Sequence, residues 1–250
     1  MSNSPLVDYV KISPNKNSPR NHVIDTITIH CVVGQCSVET IGNVFAPVSR
    51  QASSNYGIGP DGRIGMYVEE KDRSWCSSNA ENDNRAITIE VASDTTHPYA
   101  IKPAAYKALV ELCADICKRN GIKELKWKAN KALIGQVDKQ NMTVHRWFAK
   151  KECPGEYIYT RLGQIADEVN QKLKPKDPLY CVQTGAFKDK ANSYHLLAKL
   201  QASGFDTYLV HVDNLYKVQV GAYSKKENAE AMAKKLKDAG HEVFITIKRD

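Results

Sequence analysis

A chain of 250 residues carries, far apart in sequence, the side chains needed to activate water: His30, Glu90, His145 and Cys153. Two imidazoles and one thiolate make a familiar ligand set for zinc, and three protein ligands leave the fourth position to water. Zinc held in this way brings the pKa of its water toward about 7 and polarises a carbonyl oxygen, which opens an amide to attack. Glu90 has the chemistry of the general base, a role that needs contact with the water but not with the metal. Lys151, two residues before Cys153, is suited to stabilise the negative oxygen of a tetrahedral intermediate. Spacing alone leaves simpler readings open. A strand-end histidine can be a satisfied structural residue, Glu90 a solvated strand carboxylate, and Lys151 an ordinary surface cation within KKE.

These residues depend on strands to position them. In TITIHCVVG, Ile27 and Ile29 alternate with Thr28 and His30, so the histidine leaves the core near the strand's end. The same alternation in AITIEVAS sets Ile87, Ile89 and Val91 against Thr88 and Glu90, which lets a carboxylate and an imidazole converge on one sheet surface. His145 and Cys153 bracket an irregular, charged segment that ends in a Pro-Gly turn. Further strand character spans Tyr56 to Val68 around a PDG turn, and helices are expected over Pro103 to Asn120 and Tyr157 to Leu173. Strands interleaved with helices indicate an α/β domain with a central sheet.

The segment KLKPKDP, with two prolines and alternating charge, reads as an exposed linker and places a domain boundary at 173–178. Beyond it the chain repeats itself at an offset of about 36 residues: YCVQTGAF is followed by YKVQVGAY, Asn192 by Asn228, and Gly204 by Gly240. Each copy reads strand, helix, strand. Two fused copies predict a small α+β domain of βαββαβ order, a split βαβ arrangement with both helices on one face of a four-stranded sheet. Alternation predicts that Gln183 and Phe187, with Lys217, Gln219 and Tyr223 as counterparts, share the open face. Amides and aromatic rings there would suit sugars.

A formal charge of +7 suggests an anionic partner, but basic residues are scattered among acids and no nucleic-acid signature is present. No run reaches the roughly 18 apolar residues of a spanning helix, so no membrane insertion is expected. The N-terminus lacks an apolar signal core. Seven irregularly spaced cysteines argue against a secreted disulfide framework and fit synthesis in a reducing cytosol. Cys113 and Cys117, four apart in a helical pattern, read as core thiols.

TITIHCVVG, SSNYGIGPDGRIGMYVEE, RAITIEV and TVHRWFAKKECPG, in this order, resemble the type 2 family of zinc-dependent N-acetylmuramoyl-L-alanine amidases, which includes phage endolysins and is related to peptidoglycan recognition proteins. The resemblance implies a central mixed β-sheet flanked by helices over 1–172. It also implies Zn2+ on His30, His145 and Cys153, with Glu90 and Lys151 as catalytic residues. Asn55, Tyr56 and Trp75 fall where relatives line the substrate groove. Retention of Cys153 favours hydrolysis over mere binding. Residues 179–250 resemble a SPOR domain, a module that binds peptidoglycan glycan strands.

The expectation is therefore an amidase that cuts between N-acetylmuramic acid and L-alanine of the stem peptide, held at the wall by its second domain. Made in the cytoplasm, it would reach the wall through a holin pore or another non-classical route. The alternatives are a peptidoglycan-binding protein without turnover, or a hydrolase that cuts another bond of the stem peptide.

Overall fold

A computed structural model describes residues 2–175 and 177–248; Lys176 of the linker segment, with Met1, Arg249 and Asp250, lies outside the described residues. The chain forms two compact units, Met1–Lys174 and Pro175–Asp250.

The first unit contains β1 (Tyr9–Val10), β2 (Lys16–Asn17), β3 (Thr26–Val33), α1 (Val38–Phe45), β4 (Tyr56–Ile58), β5 (Ile64–Met66), β6 (Arg73–Ser74) and α2 (Ala80–Arg85). It continues with β7 (Ala86–Ser93), α3 (Pro103–Asn120), β8 (Met142–Val144), α4 (Glu156–Tyr159) and α5 (Leu162–Leu173). Six strands make a mixed sheet in the order β1-β5-β4-β7-β3-β8, and β2 pairs with β6 apart from it. β3 runs parallel to both β7 and β8, and β4 and β5 form an antiparallel hairpin.

Period-two patterning decides which face meets which layer. Ile27, Ile29, Ile87, Ile89 and Val91 pack into one core with Leu109, Leu112 and Ile116 of α3 and Ile165 and Val169 of α5. Cys113 and Cys117 are fully buried in that core. The opposite sheet face is polar and also covered: the Thr28 and Thr143 hydroxyls meet at 2.7 Å, and both bond the Asn82 amide. Buried polar groups need partners, and these three side chains supply one another's, whereas His30 Nε2 and one Glu90 oxygen on the same face have none.

Pro103 opens α3 and Gly121, at φ 71, closes it, with its N–H on the Cys117 carbonyl. The continuous helix expected over Tyr157 to Leu173 is broken at Thr160 and Arg161 into α4 and α5. The Thr160 hydroxyl donates to the Glu156 carbonyl at 2.8 Å, and the Arg161 guanidinium lies over the Tyr157 ring. Such side-chain bonding competes with the helical ladder.

The second unit contains β9 (Leu179–Phe187), α6 (Lys190–Ala202), β10 (Tyr208–Val212), β11 (Leu215–Tyr223), α7 (Lys226–Asp238) and β12 (Phe244–Lys248). Its antiparallel sheet has the order β10-β11-β9-β12. Val182, Val218 and Val220 pack against Leu200 of α6 and Ala229, Ala233 and Leu236 of α7, so both helices cover one face. β10 and β11 are joined by Asp213 and Asn214, both at positive φ, the pairing that a two-residue hairpin turn demands.

Candidate metal centre and groove

His30 stands on β3 directly beside Glu90 on β7, because the parallel register pairs the two residues. β8 flanks β3 on its other side, with Val144 beside Ile29, so the next residue, His145, begins a 3-10 turn at the level of His30. The two imidazole centroids are 5.1 Å apart. The chain then loops out and returns: the Arg146 N–H donates to the Cys153 carbonyl, and the Cys31 N–H donates to Cys153 Sγ at 3.4 Å. Cys153 Sγ lies 3.4 Å from His30 Nδ1. Ligand atoms of His30, His145 and Cys153 thus all lie within 4.8 Å of one another.

Electrostatics fit this triad to a cation. Burial lowers the His30 pKa to about 3, helped by repulsion from His145. Burial and then Lys151 lower that of His145. Both rings are neutral at physiological pH and keep a lone pair for a metal. The Cys153 thiol is pushed well above its ordinary range, first by its hydrogen bond with the Cys31 thiol, then by burial and Glu90. A dication among these donors supplies the positive charge that a thiolate there needs.

Beside the triad lies a cavity of about 390 Å³ lined by Glu90, His145, Lys151, Trp75, Arg50 and Arg73, among others. Burial raises the Glu90 carboxyl to about 7, against the Cys76 hydrogen bond and the charge of Arg50. One of its oxygens accepts from the Cys76 thiol at 3.8 Å, and the other is buried without a partner. Trp75, whose indole N–H is anchored on the Asn17 side-chain oxygen at 2.6 Å, is one of the residues lining the cavity.

Asn55 and Tyr56 are not brought to this groove, which corrects their assignment to substrate binding. Both are fully buried. The Asn55 amide donates to the Val68 and Glu69 carbonyls and accepts from the Thr88 N–H, and the Tyr56 hydroxyl donates to Glu70 at 2.6 Å. Their polar atoms are spent on holding β4 to its neighbours.

Cys76 and Ser78 are groove residues that sequence reasoning missed. Their loop is clamped by Asp83, which accepts from the Cys76 N–H, the Ser77 N–H and the Ser77 hydroxyl. The Ser78 hydroxyl sits 3.1 Å from His145 Nε2, with Ser78 at φ 61. The one local signal was Asn79, which caps α2 by accepting from the Asn82 N–H.

In the second unit, Gln183, Lys217 and Gln219 line an open-face cavity of about 570 Å³ together with Tyr208 and His211. Phe187 and Tyr223 do not share it. The pairing of β9 with β11 shifts between Val218 and Gln219 and again between Gln219 and Ala222. Each extra residue reverses the alternation, so both rings pack against the helix-side core instead. The Phe187 ring lies across Gly185 against Leu196, and the Tyr223 ring lies across Gly221, where a Cβ would come within 2.6 Å.

Fold and groove together set three potential metal donors beside a cavity with a carboxylate and an ammonium, in a chain that carries a second compact unit. Residues 20–156, more than half the chain, match the family model described as N-acetylmuramoyl-L-alanine amidase, and the chain belongs to that family. Residues 176–247 match the model of the SPOR domain. No curated protein sequence matches the chain. Among solved structures, the solution structure of the peptidoglycan binding domain of the B. subtilis cell wall lytic enzyme CwlC is 43% identical over 30% of this chain and 95% of that one, with a TM-score of 0.28. A crystal structure of an AmpD derivative is 18% identical over 65% of this chain and 96% of that one, with a TM-score of 0.47. A mutant endolysin from Bacillus subtilis is 15% identical over 65% and 99%, with a TM-score of 0.48.

The contribution of Glu90 to the stability of the metal-free protein should fade as pH rises, while buried His30, lowered from 6.5 to about 3, acts in the opposite sense over its own range. The folded-state pKa of Glu90 is raised from 4.5 to about 7, so the folded chain holds a proton that the unfolded chain releases, and its contribution fades across that window. The full effect is on the order of 3 kcal/mol. Urea unfolding of metal-free protein and of Glu90→Gln at pH 4.5 and pH 8 reads it: the glutamine variant should gain on the wild type at pH 8, and parallel behaviour would refute the shift.

Proposed function

We propose that the chain is a zinc-dependent N-acetylmuramoyl-L-alanine amidase that cuts the amide between N-acetylmuramic acid and L-alanine of peptidoglycan. The observation that carries this reading is the meeting of His30, His145 and Cys153 beside a cavity lined by Glu90 and Lys151. His30, His145 and Cys153 hold Zn2+, which when bound acidifies water and polarises the scissile carbonyl. Glu90, ionised at neutral pH beside a dication, takes a proton from water and passes it to the leaving nitrogen. Lys151 places its ammonium toward the oxygen that becomes negative. Trp75 offers a ring face to the substrate.

Residues 1–172 are the amidase domain, 173–178 the linker, and 179–250 the glycan-binding module, so the protein acts at the bacterial cell wall. Tethering makes the second contact intramolecular, and a weak glycan binder then raises local substrate concentration. Gln183, Lys217 and Gln219 supply hydrogen bonds to glycan from the open face. Replacing Gln183 and Gln219 together by alanine should lower wall pelleting about tenfold, the loss of two hydrogen bonds of about 0.5–1.5 kcal/mol each. Phe187→Ala should instead lower the melting temperature, because its ring packs in the core. The reverse pattern would return the ring to the glycan face.

Digestion of purified walls tests the bond. New L-alanine amino termini without new reducing sugar ends are expected. A different terminal residue moves the cut within the stem peptide, and no release at all leaves a binding protein.

A further inference from the structure

Beyond the proposed triad, and resting on that reading, a second set of donors stands in the same groove. Ligand atoms of His30, Cys76 and Glu90 also lie within 4.8 Å of one another. Cys76 Sγ is 3.8 Å from one Glu90 oxygen. Two observations independent of that clustering point to a ligand. Among the described residues only four buried side-chain polar atoms lack a hydrogen-bond partner, and two of them, His30 Nε2 and Glu90 Oε2, belong to this set. Buried polar atoms are otherwise paired, so an unpaired couple at one place calls for an occupant. The first triad does not answer them both: His30 turns Nδ1 toward Cys153 at 3.4 Å, which leaves Nε2 for another partner, and Glu90 is not a member of that triad.

We propose that Cys76, Glu90 and His30 form a second, inhibitory position for a thiophilic divalent cation of the zinc class. A thiolate and an imidazole select zinc, cobalt or cadmium over magnesium or calcium, which prefer oxygen donors alone. The position opens on the groove, since Cys76 and Glu90 both line it. Binding there releases the Cys76 thiol proton and the remaining His30 ring proton to solvent, so that a thiolate, an imidazolate bridging the two cations and the Glu90 carboxylate, three anionic groups, face the incoming dication. Occupancy takes the Glu90 lone pairs that general-base catalysis requires, so the second cation inhibits while the first remains in place.

The test is a cobalt(II) and zinc titration of the full metal-stripped chain, followed by absorbance and by wall hydrolysis. Two equivalents should bind, each adding a thiolate-to-cobalt band, and hydrolysis should rise with the first and fall with the second. In Cys76→Ser the second band should vanish, and the zinc concentration that halves the variant's own activity should rise about tenfold or more, as expected for losing a soft ligand. The wild-type titration stands without any variant: a single equivalent, with no inhibition by excess zinc, overturns the proposal. Two equivalents that Cys76→Ser leaves unchanged overturn it as well. Loss of the first band in Cys153→Ser, with no second equivalent in the wild type, sinks this inference and leaves the amidase reading intact. No cobalt binding at all sinks both.

Discussion

Replacing Cys153 by serine is expected to strip the metal from the protein and to lower wall hydrolysis about 10³-fold or more. The thiol is the one donor in the triad that becomes anionic, and a serine hydroxyl at the same place does not ionise near neutral pH. Polarisation of a carbonyl by a bound metal is worth several kcal/mol, and each 1.36 kcal/mol is tenfold in rate. Cys153→Asp keeps an anionic donor, and carboxylates are accepted zinc ligands, so it should retain more metal and more activity than the serine variant. Metal content by elemental analysis and release of L-alanine amino termini provide the readouts. The strand framework should survive either change, because Cys153 sits in a loop, while β3, β7 and β8 are held by their own ladders. A serine variant with undiminished metal and turnover would remove Cys153 from the centre.

Glu90→Gln carries the second large effect, with a different signature. Glutamine keeps the shape and can still accept from Cys76, but it cannot take up a proton. Hydrolysis should fall about 10²- to 10⁴-fold through kcat, the range for losing a general base, with little change in KM. One equivalent of zinc should still bind, because Glu90 is not among His30, His145 and Cys153. The variant should also be the more stable protein above pH 7, since it no longer holds a buried carboxylate with an unpaired oxygen. Activity above a tenth of the wild type would assign the base elsewhere. Loss of zinc along with activity would make Glu90 a ligand.

Much of this site was legible in the sequence for a simple reason. Period-two alternation in TITIHC and AITIEV put His30 and Glu90 on the face opposite the isoleucines, and the structure pairs them across adjacent parallel strands. The same rule failed in the second unit. A bulge adds one residue and exchanges the two faces of everything beyond it; the strand-interior glycines Gly185 and Gly221 are the local hint of one, but only the pairing with the partner strand shows where the register shifts. Asn55 and Tyr56 were misplaced for a related reason. Their neighbourhood in sequence resembles a groove, but the groups that consume their polar atoms, Glu70, Val68 and Thr88, arrive from other elements.

What this sequence determined by itself was chemical identity and local geometry: which donors exist, which strand face each one takes, where helix α3 begins and ends, and that the tail is a duplicated strand-helix-strand unit. The tertiary structure alone decided convergence. His145 reaches His30 only because β8 pairs beside β3, Cys153 returns only because the Arg146 and Cys31 backbone N–H groups hold its loop, and Cys76 meets Glu90 only because Asp83 clamps the preceding turn. Local propensities act over a few residues, whereas these meetings are long-range pairings stabilised by the packing of the whole unit, and they exist only once it has folded.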